Sequence, residues 1–172
     1  VKKGQPNGKG TLKGRGLYPI DETRFDKEDH KFKYEGSFKN GKMDGYGVLS
    51  IYNTTFINSL GQRAGKNRLD SKYEGEFRSG LKHGKGTETT FLNRPGEKRT
   101  MWTFYSGQWK KDKHFGRGEY KYKWRLYIEI FCGVFGPNGK FKKGNWIIKA
   151  NDQVFEYEGS FKNQTPHGKG IL

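Results

Sequence analysis

The sequence predicts an all-β chain, built as an array of β-hairpins in which each unit buries its apolar face against its neighbours. Three observations lead there. One pentapeptide pattern recurs: Tyr34-Glu35-Gly36-Ser37-Phe38, Tyr73-Glu74-Gly75-Glu76-Phe77, Tyr105-Ser106-Gly107-Gln108-Trp109 and Tyr157-Glu158-Gly159-Ser160-Phe161. Each is followed by Gly-x-Gly: Gly45 and Gly47, Gly84 and Gly86, Gly116 and Gly118, Gly168 and Gly170. The offset from Tyr to the first Gly is constant, since 45−34, 84−73, 116−105 and 168−157 all give 11. Within a unit, Tyr34, Gly36 and Phe38 alternate with Glu35, Ser37 and Lys39, the period of a strand with rings on one face and charges on the other.

The stretch from Lys39 to Asp44 is polar, contains Gly, and reads as a turn. Gly45, Gly47, Leu49 and Ile51 then share one face of a second strand. Symmetric pairing about that turn would set Phe38 opposite Gly45 and Gly36 opposite Gly47, so that a large ring covers a glycine gap. The glycines are read as structural, allowing close backbone approach.

These motifs resemble the membrane occupation and recognition nexus (MORN) repeat: Tyr-x-Gly-x-Trp/Phe, a polar turn, then Gly-x-Gly and alternating apolar residues. The likeness covers residues 34–51, 73–90, 105–122 and 157–172. Residues 1–12 fit as a half repeat, since Lys3 to Leu12 matches Asn40 to Leu49 position for position. The resemblance implies an elongated, twisted, single-layer antiparallel sheet of stacked hairpins.

The family repeats at a shorter spacing than the Tyr-to-Tyr steps here, which are 39 (73−34), 32 (105−73) and 52 (157−105). The extra length falls between hairpins, as insertions 13–33 and 52–72. Each is long enough to carry function or a further hairpin. Asn58, Gly61, Gly65 and Asn67 supply turn residues in the second, and Arg94-Pro95-Gly96 marks another turn. The longest step hides a degenerate repeat at about 131–150, in one of two registers. Either Phe131 to Phe135 is its first strand, with Gly144 as the second motif glycine, or Lys142 to Trp146 is. Tyr120, Tyr122, Trp124, Leu126, Ile128 and Ile130 alternate with mostly polar residues as one long strand or two joined by a tight bend. Asn151-Asp152 reads as a hairpin turn.

The composition fits rings over glycine better than an aliphatic core: 31% hydrophobic, 16% aromatic, and 26 glycines in 172 residues. The regular ring spacing argues against disorder. The formal charge is +16 (34 basic minus 18 acidic), densest in the run Lys110, Lys111, Lys113, Arg117, Lys121, Lys123 and Arg125. Such a surface calls for an acidic partner or an anionic layer, although charge also keeps sheet edges from pairing. Cys132 is the only cysteine, so no intrachain disulfide forms, and an intracellular setting is expected. No apolar run approaches membrane-spanning length. The half repeat at the start, the lack of an initiator Met and the motif running out at Leu172 lead us to expect a piece of a longer chain, with open sheet edges covered by that chain or by a partner.

Chemistry is sparse. His83 and His167 recur at one repeat position, His114 sits one residue earlier, and His30 stands alone. No Cys/His cluster has zinc spacing, and no metal or cofactor is expected. Glu35, Glu74 and Glu158 recur by position and should face water or lysines. Gly4 to Thr11 superficially resembles a phosphate-binding loop, but it is one residue short and lacks the Ser/Thr that holds magnesium. The same string recurs at Gly80 to Thr87 as a hairpin turn.

The expected function is therefore non-catalytic: a scaffold that docks other proteins in a larger assembly through its basic surface and protruding loops. By analogy with MORN proteins, the setting is cytoskeletal or ciliary, with acidic tubulin tails as a natural partner. Binding of anionic phospholipid, such as a phosphoinositide, at a membrane surface is the alternative. Another is targeting of an enzyme domain elsewhere in the chain. Nucleic acid is disfavoured, because period two sends Tyr122 and Trp124 to the face opposite Lys121, Lys123 and Arg125. A ribbon of this kind should have no pocket.

Overall fold

A computed structural model describes residues 4–15, 30–53, 56–57, 63–64, 68–92 and 101–171. In chain order the strands are β1 (Gly8–Arg15), β2 (His30–Lys39), β3 (Lys42–Asn53), β4 (Phe56–Ile57), β5 (Arg63–Ala64), β6 (Arg68–Arg78) and β7 (Leu81–Phe91), followed by β8 (Met101–Lys110), β9 (Lys113–Trp124), β10 (Tyr127–Phe135), β11 (Phe141–Ala150), β12 (Gln153–Lys162) and β13 (Thr165–Ile171). Among the described residues there is no helix. Eleven strands form one open antiparallel sheet in the order β1-β2-β3-β6-β7-β8-β9-β10-β11-β12-β13, and β4 and β5 pair as a short separate ribbon. At strand spacing the sheet runs about 48 Å from first strand to last. The strands extend into both insertions, through Arg15 and from His30, and through Asn53 and from Arg68. The turn signals at Asn58, Gly61, Gly65, Asn67 and Arg94 to Gly96 lie outside the described residues.

The hairpin register differs from symmetric pairing in one respect. Gly36 does pair with Gly47, but Phe38 pairs with Met43 rather than Gly45, across a bulge. The same bulge recurs in the other regular units. It follows the pairing of Gly75 with Gly86, of Gly107 with Gly118 and of Gly159 with Gly170. The first motif glycine occupies it: Gly45 has φ 93°, a left-handed conformation that an L side chain adopts only with strain. Across the next strand pair, Gly45 faces Phe77, Gly84 faces Trp109 and Gly116 faces Phe135. A bulge leaves a carbonyl outside the ladder, and the motif tyrosine satisfies it. Tyr34, Tyr73, Tyr105 and Tyr157 donate their hydroxyls to the carbonyls of Ser37, Glu76, Gln108 and Ser160 at 2.8, 2.9, 2.8 and 3.1 Å.

The ring that covers the glycine gap is thus the tyrosine, a correction to the expected cover by Phe38. A methyl group at Gly47 would lie 2.5 Å from the Tyr34 ring, so only glycine fits beneath it. The second motif glycine is confined in the same way in each later unit: Gly86 lies under the Tyr73 ring, Gly118 under Tyr105 and Gly170 under Tyr157.

The rings also join the units. Phe38, Tyr34, Phe77, Tyr73, Trp109, Tyr105, Phe135, Phe131, Phe161 and Tyr157 form one unbroken edge-to-face series with centroids 5.0–5.3 Å apart. Edge-to-face contact is the arrangement favoured by the ring quadrupoles. This series is the core of a one-layer sheet, and Tyr34, Tyr73, Tyr105, Phe131 and Phe135 are almost wholly buried.

The region from 120 to 135 resolves into two strands joined at Arg125–Leu126, and the first of the two registers holds: Gly133 pairs with Gly144. Here Phe131 stands where the other units have tyrosine and Lys142 where they have the bulge glycine. The turn is longer, closed by Gly136 N donating to the Lys140 carbonyl at 2.9 Å.

Candidate functional site

Because the rings occupy one face, the other face and the hairpin ends are what the sheet offers to a partner. Among the described residues no group of His, Cys, Asp or Glu is arranged to hold a metal ion. A shallow open hollow of about 460 Å³ lies on the outer face of the first strands, lined by Lys13, Arg15, Lys31, Phe32, Lys33 and Tyr52 among others. It is basic rather than catalytic, with Lys13 paired across from Lys33 and Arg15 from Lys31. Glu35 and Glu74 bind lysines on this face, Glu35 to Lys33 at 2.7 Å and Glu74 to Lys72 at 3.1 Å. Tyr46 donates to Glu74 at 2.9 Å, and these two contacts hold that carboxyl below the usual range.

Charge also enters the ring face, in the second hairpin alone among the regular units. Lys82 is buried and paired with Glu88, and its ammonium lies 5.2 Å from the Tyr73 ring centroid and 5.0 Å from that of Trp109. Ser71 donates to Glu88 at 3.2 Å. One unit further on, His114 fills the equivalent place, stacked on Tyr105 at 3.7 Å. Burial, with the Lys82 charge adding to it, pushes the His114 pKa down to about 4. These groups are packing elements of the ring face.

The basic run is laid out along β9. Lys110, Lys111 and Lys113 crowd the β8–β9 turn and are all exposed; Lys110 lies 5.0 Å over the Phe115 ring. Lys111 and Asp112 make that turn with φ 52° and 62°. Asp112 ties it to the preceding hairpin by accepting from Lys82 N at 2.7 Å. By strand alternation Arg117, Lys121 and Lys123 then follow down the outer face, and Arg125 stands at the opposite end. The column is about 40 Å long at strand rise. Glu119 interrupts it, paired with Lys121 at 2.9 Å. Period two correctly removes Tyr122 and Trp124 from this face, yet the neighbouring strand supplies other rings: Phe104 pairs with Lys121, whose ammonium is 5.6 Å from its centroid, and Trp102 pairs with Lys123.

A second set of cations escapes a reading of contiguous runs. Every turn along the same sheet end carries them: Lys39 and Lys42, Arg78, Lys110 and Lys113, Lys140 and Lys142, and Lys162, all exposed. Successive hairpin turns are about 10 Å apart, so these side chains form a row along the turn edge. The row and the β9 column meet at Lys110–Lys113. The signal was present in the sequence, because these residues flank the same turn in each repeat.

The comparisons with known proteins agree with this architecture. The MORN repeat family matches residues 1–16, 34–55, 73–90, 105–125 and 157–172, leaving the degenerate hairpin unmatched. Alsin from Rattus norvegicus, Mus musculus and Homo sapiens is 30% identical over 92% of the chain. The chain spans 9% of the length of these relatives. With the tyrosine–glycine bulge repeated and the family matching most of the strands, this chain belongs to the MORN-repeat family.

Proposed function

We propose that the array is a non-catalytic docking module that holds acidic proteins along its turn edge and the outer face of β9. The observation that carries this reading is the meeting of the two lines of cations at Lys110–Lys113. An elongated acidic surface or tail could engage several of these positions at once, and rows of like charge on a rigid frame raise both encounter rate and selectivity. The proposed setting is intracellular, in a cytoskeletal or ciliary assembly, with tubulin tails as the partner of matching chemistry. That the chain matches 9% of its relatives' length supports a module serving other domains, an enzyme domain among them.

Anisotropy of a labelled polyglutamate peptide tests the surface, and co-sedimentation with microtubules tests tubulin as its partner. The reading expects salt-sensitive binding that falls about tenfold or more in Lys110→Glu/Lys111→Glu/Lys113→Glu. Binding that ignores this reversal would contradict it. Microtubule binding that persists after the tubulin tails are cleaved would remove tubulin tails as the partner.

A further inference from the structure

In the second hairpin the chain shows how its ring face takes up a cation. The Lys82 ammonium stands 5.2 Å from the Tyr73 ring centroid and 5.0 Å from that of Trp109, and Glu88 supplies the counter-charge. Electron-rich ring faces and a carboxylate act on one ammonium together. A second carboxylate, Glu129 in β10, stands on the same face with rings about it and no ammonium. By strand alternation it lies between Tyr127 and Phe131. Across the ladder it pairs with Tyr122 of β9 on one side and Ile148 of β11 on the other.

Tyr122 and Tyr127 hold their ring centroids 5.9 Å apart, inclined at 62°. Trp146 donates its indole Nε1–H to Glu129 Oε1 at 2.8 Å. Burial first, and then the Glu129 charge, raises the hydroxyl pKa of Tyr127 and pushes that of Tyr120 up to about 12. The carboxylate thus acts on both rings. Glu129, the three tyrosines and Trp146 are all half-buried. Among the described residues Glu129 enters no ion pair, whereas Glu35, Glu74, Glu88 and Glu119 are each held by a lysine. A half-buried carboxylate whose hydrogen bond comes from a neutral indole is short of compensation.

We infer that Glu129 and the rings of Tyr120, Tyr122, Tyr127 and Trp146 form a receptor for the ammonium group of a lysine side chain presented by a partner protein. A primary ammonium suits it better than a trimethylated one. Trp146 takes Oε1, and Oε2 remains to accept an N–H. Ile148 and Phe155, paired between β11 and β12, offer apolar cover for the lysine stem. The site lies on the face opposite the β9 cations and takes a basic group, so it does not rest on the docking of acidic proteins.

The test is an NMR titration of the isotope-labelled chain with N-acetyl-lysine N-methylamide, at constant physiological ionic strength, read at the Trp146 indole N–H. The wild-type resonance shifts saturably. Glu129→Gln keeps an oxygen for the indole, and so keeps the melting temperature and polyglutamate binding, but weakens the probe at least about tenfold. Tyr122→Leu weakens it about threefold or more. N-acetyl-norleucine N-methylamide, an apolar chain without the charge, leaves the resonance in place. No shift in the wild-type chain overturns the inference, as does equal affinity in Glu129→Gln. Binding of the trimethyllysine analogue as tight as that of lysine overturns the assignment of a primary ammonium. Failure of the wild-type chain to bind polyglutamate, with this titration intact, would sink the docking reading and leave this one standing.

Discussion

The first and second regular hairpins have the same backbone, the same rings and the same glycines, and differ in what fills one slot beside them. In the first, Phe32, Met43, Leu49 and Ile51 make an apolar cluster, with Leu49 2% exposed. In the second, the equivalent positions hold Ser71, Lys82, Glu88 and Thr90, with Lys82 paired to Glu88 between Tyr73 and Trp109. In the third, His114 and Tyr120 take the same two central positions. The frame of tyrosine over paired glycines tolerates apolar, ionic and aromatic fillings. What it requires is that the two members of the slot suit each other. An ion pair in such a place gives little net stability, yet is costly to break from one side.

The largest expected effect follows directly. Lys82→Met leaves Glu88 half-buried without its counter-charge and should destabilise the chain by about 3–5 kcal/mol, whereas Met43→Leu in the apolar slot should cost under about 1.5 kcal/mol. Urea denaturation of the two variants checks the contrast. Next come the glycines that both hairpins share. Gly47→Ala drives a methyl into the Tyr34 ring and Gly86→Ala drives one into that of Tyr73. Overpacking of this kind costs roughly 1–3 kcal/mol, occasionally more. Similar losses in both would show that the frame, unlike the slot, is common to the units, and a large asymmetry would argue against a shared frame.

A smaller effect is expected from the tyrosine hydroxyls. Tyr34→Phe and Tyr73→Phe each remove a bond to a bulge carbonyl and should cost about 1 kcal/mol. The degenerate hairpin is the natural control, since Phe131 already lacks the hydroxyl and Lys142 replaces the bulge glycine. The smallest effect is a pH dependence from the third slot. The folded His114 pKa, about 4, lies below its unfolded value near 6.5, so the unfolded chain takes up the proton first. Stability contributed at this site is present above pH 6.5, declines as pH falls towards about 4, and is constant below. His114→Phe should flatten that part of the stability profile. An unchanged slope in the variant would place the titration elsewhere.

The fold is legible because the repeat encodes it twice, in the alternation of Tyr, Gly and Phe and in the fixed offset to the paired glycines. The bulge is not, because period two describes a regular ladder and carries no record of a residue at positive φ. Symmetric pairing therefore sets Phe38 against Gly45, when it faces Met43. The ring-to-ring links between units are hidden for a related reason: they arise from strand order and sheet curvature, which one hairpin's sequence does not contain. Nothing in the motif singles out Lys82 and Glu88, though their even numbering puts them on the Gly86 face with the rings. The row of cations at the turn edge is visible by repeat position and escapes a search for contiguous runs. Trp124 and Leu126 read as strand, and only the turn at Arg125–Leu126 exposes them as a tip.

A double-mutant cycle on Lys82 and Glu88, read by urea denaturation of the whole chain, addresses the interchangeable slot most directly. The account predicts that Lys82→Met and Glu88→Leu each cost about 3 kcal/mol or more, while the double variant, which recreates the Met43–Leu49 pair, returns to within about 1 kcal/mol of wild type. Simple additivity of the two losses would contradict it.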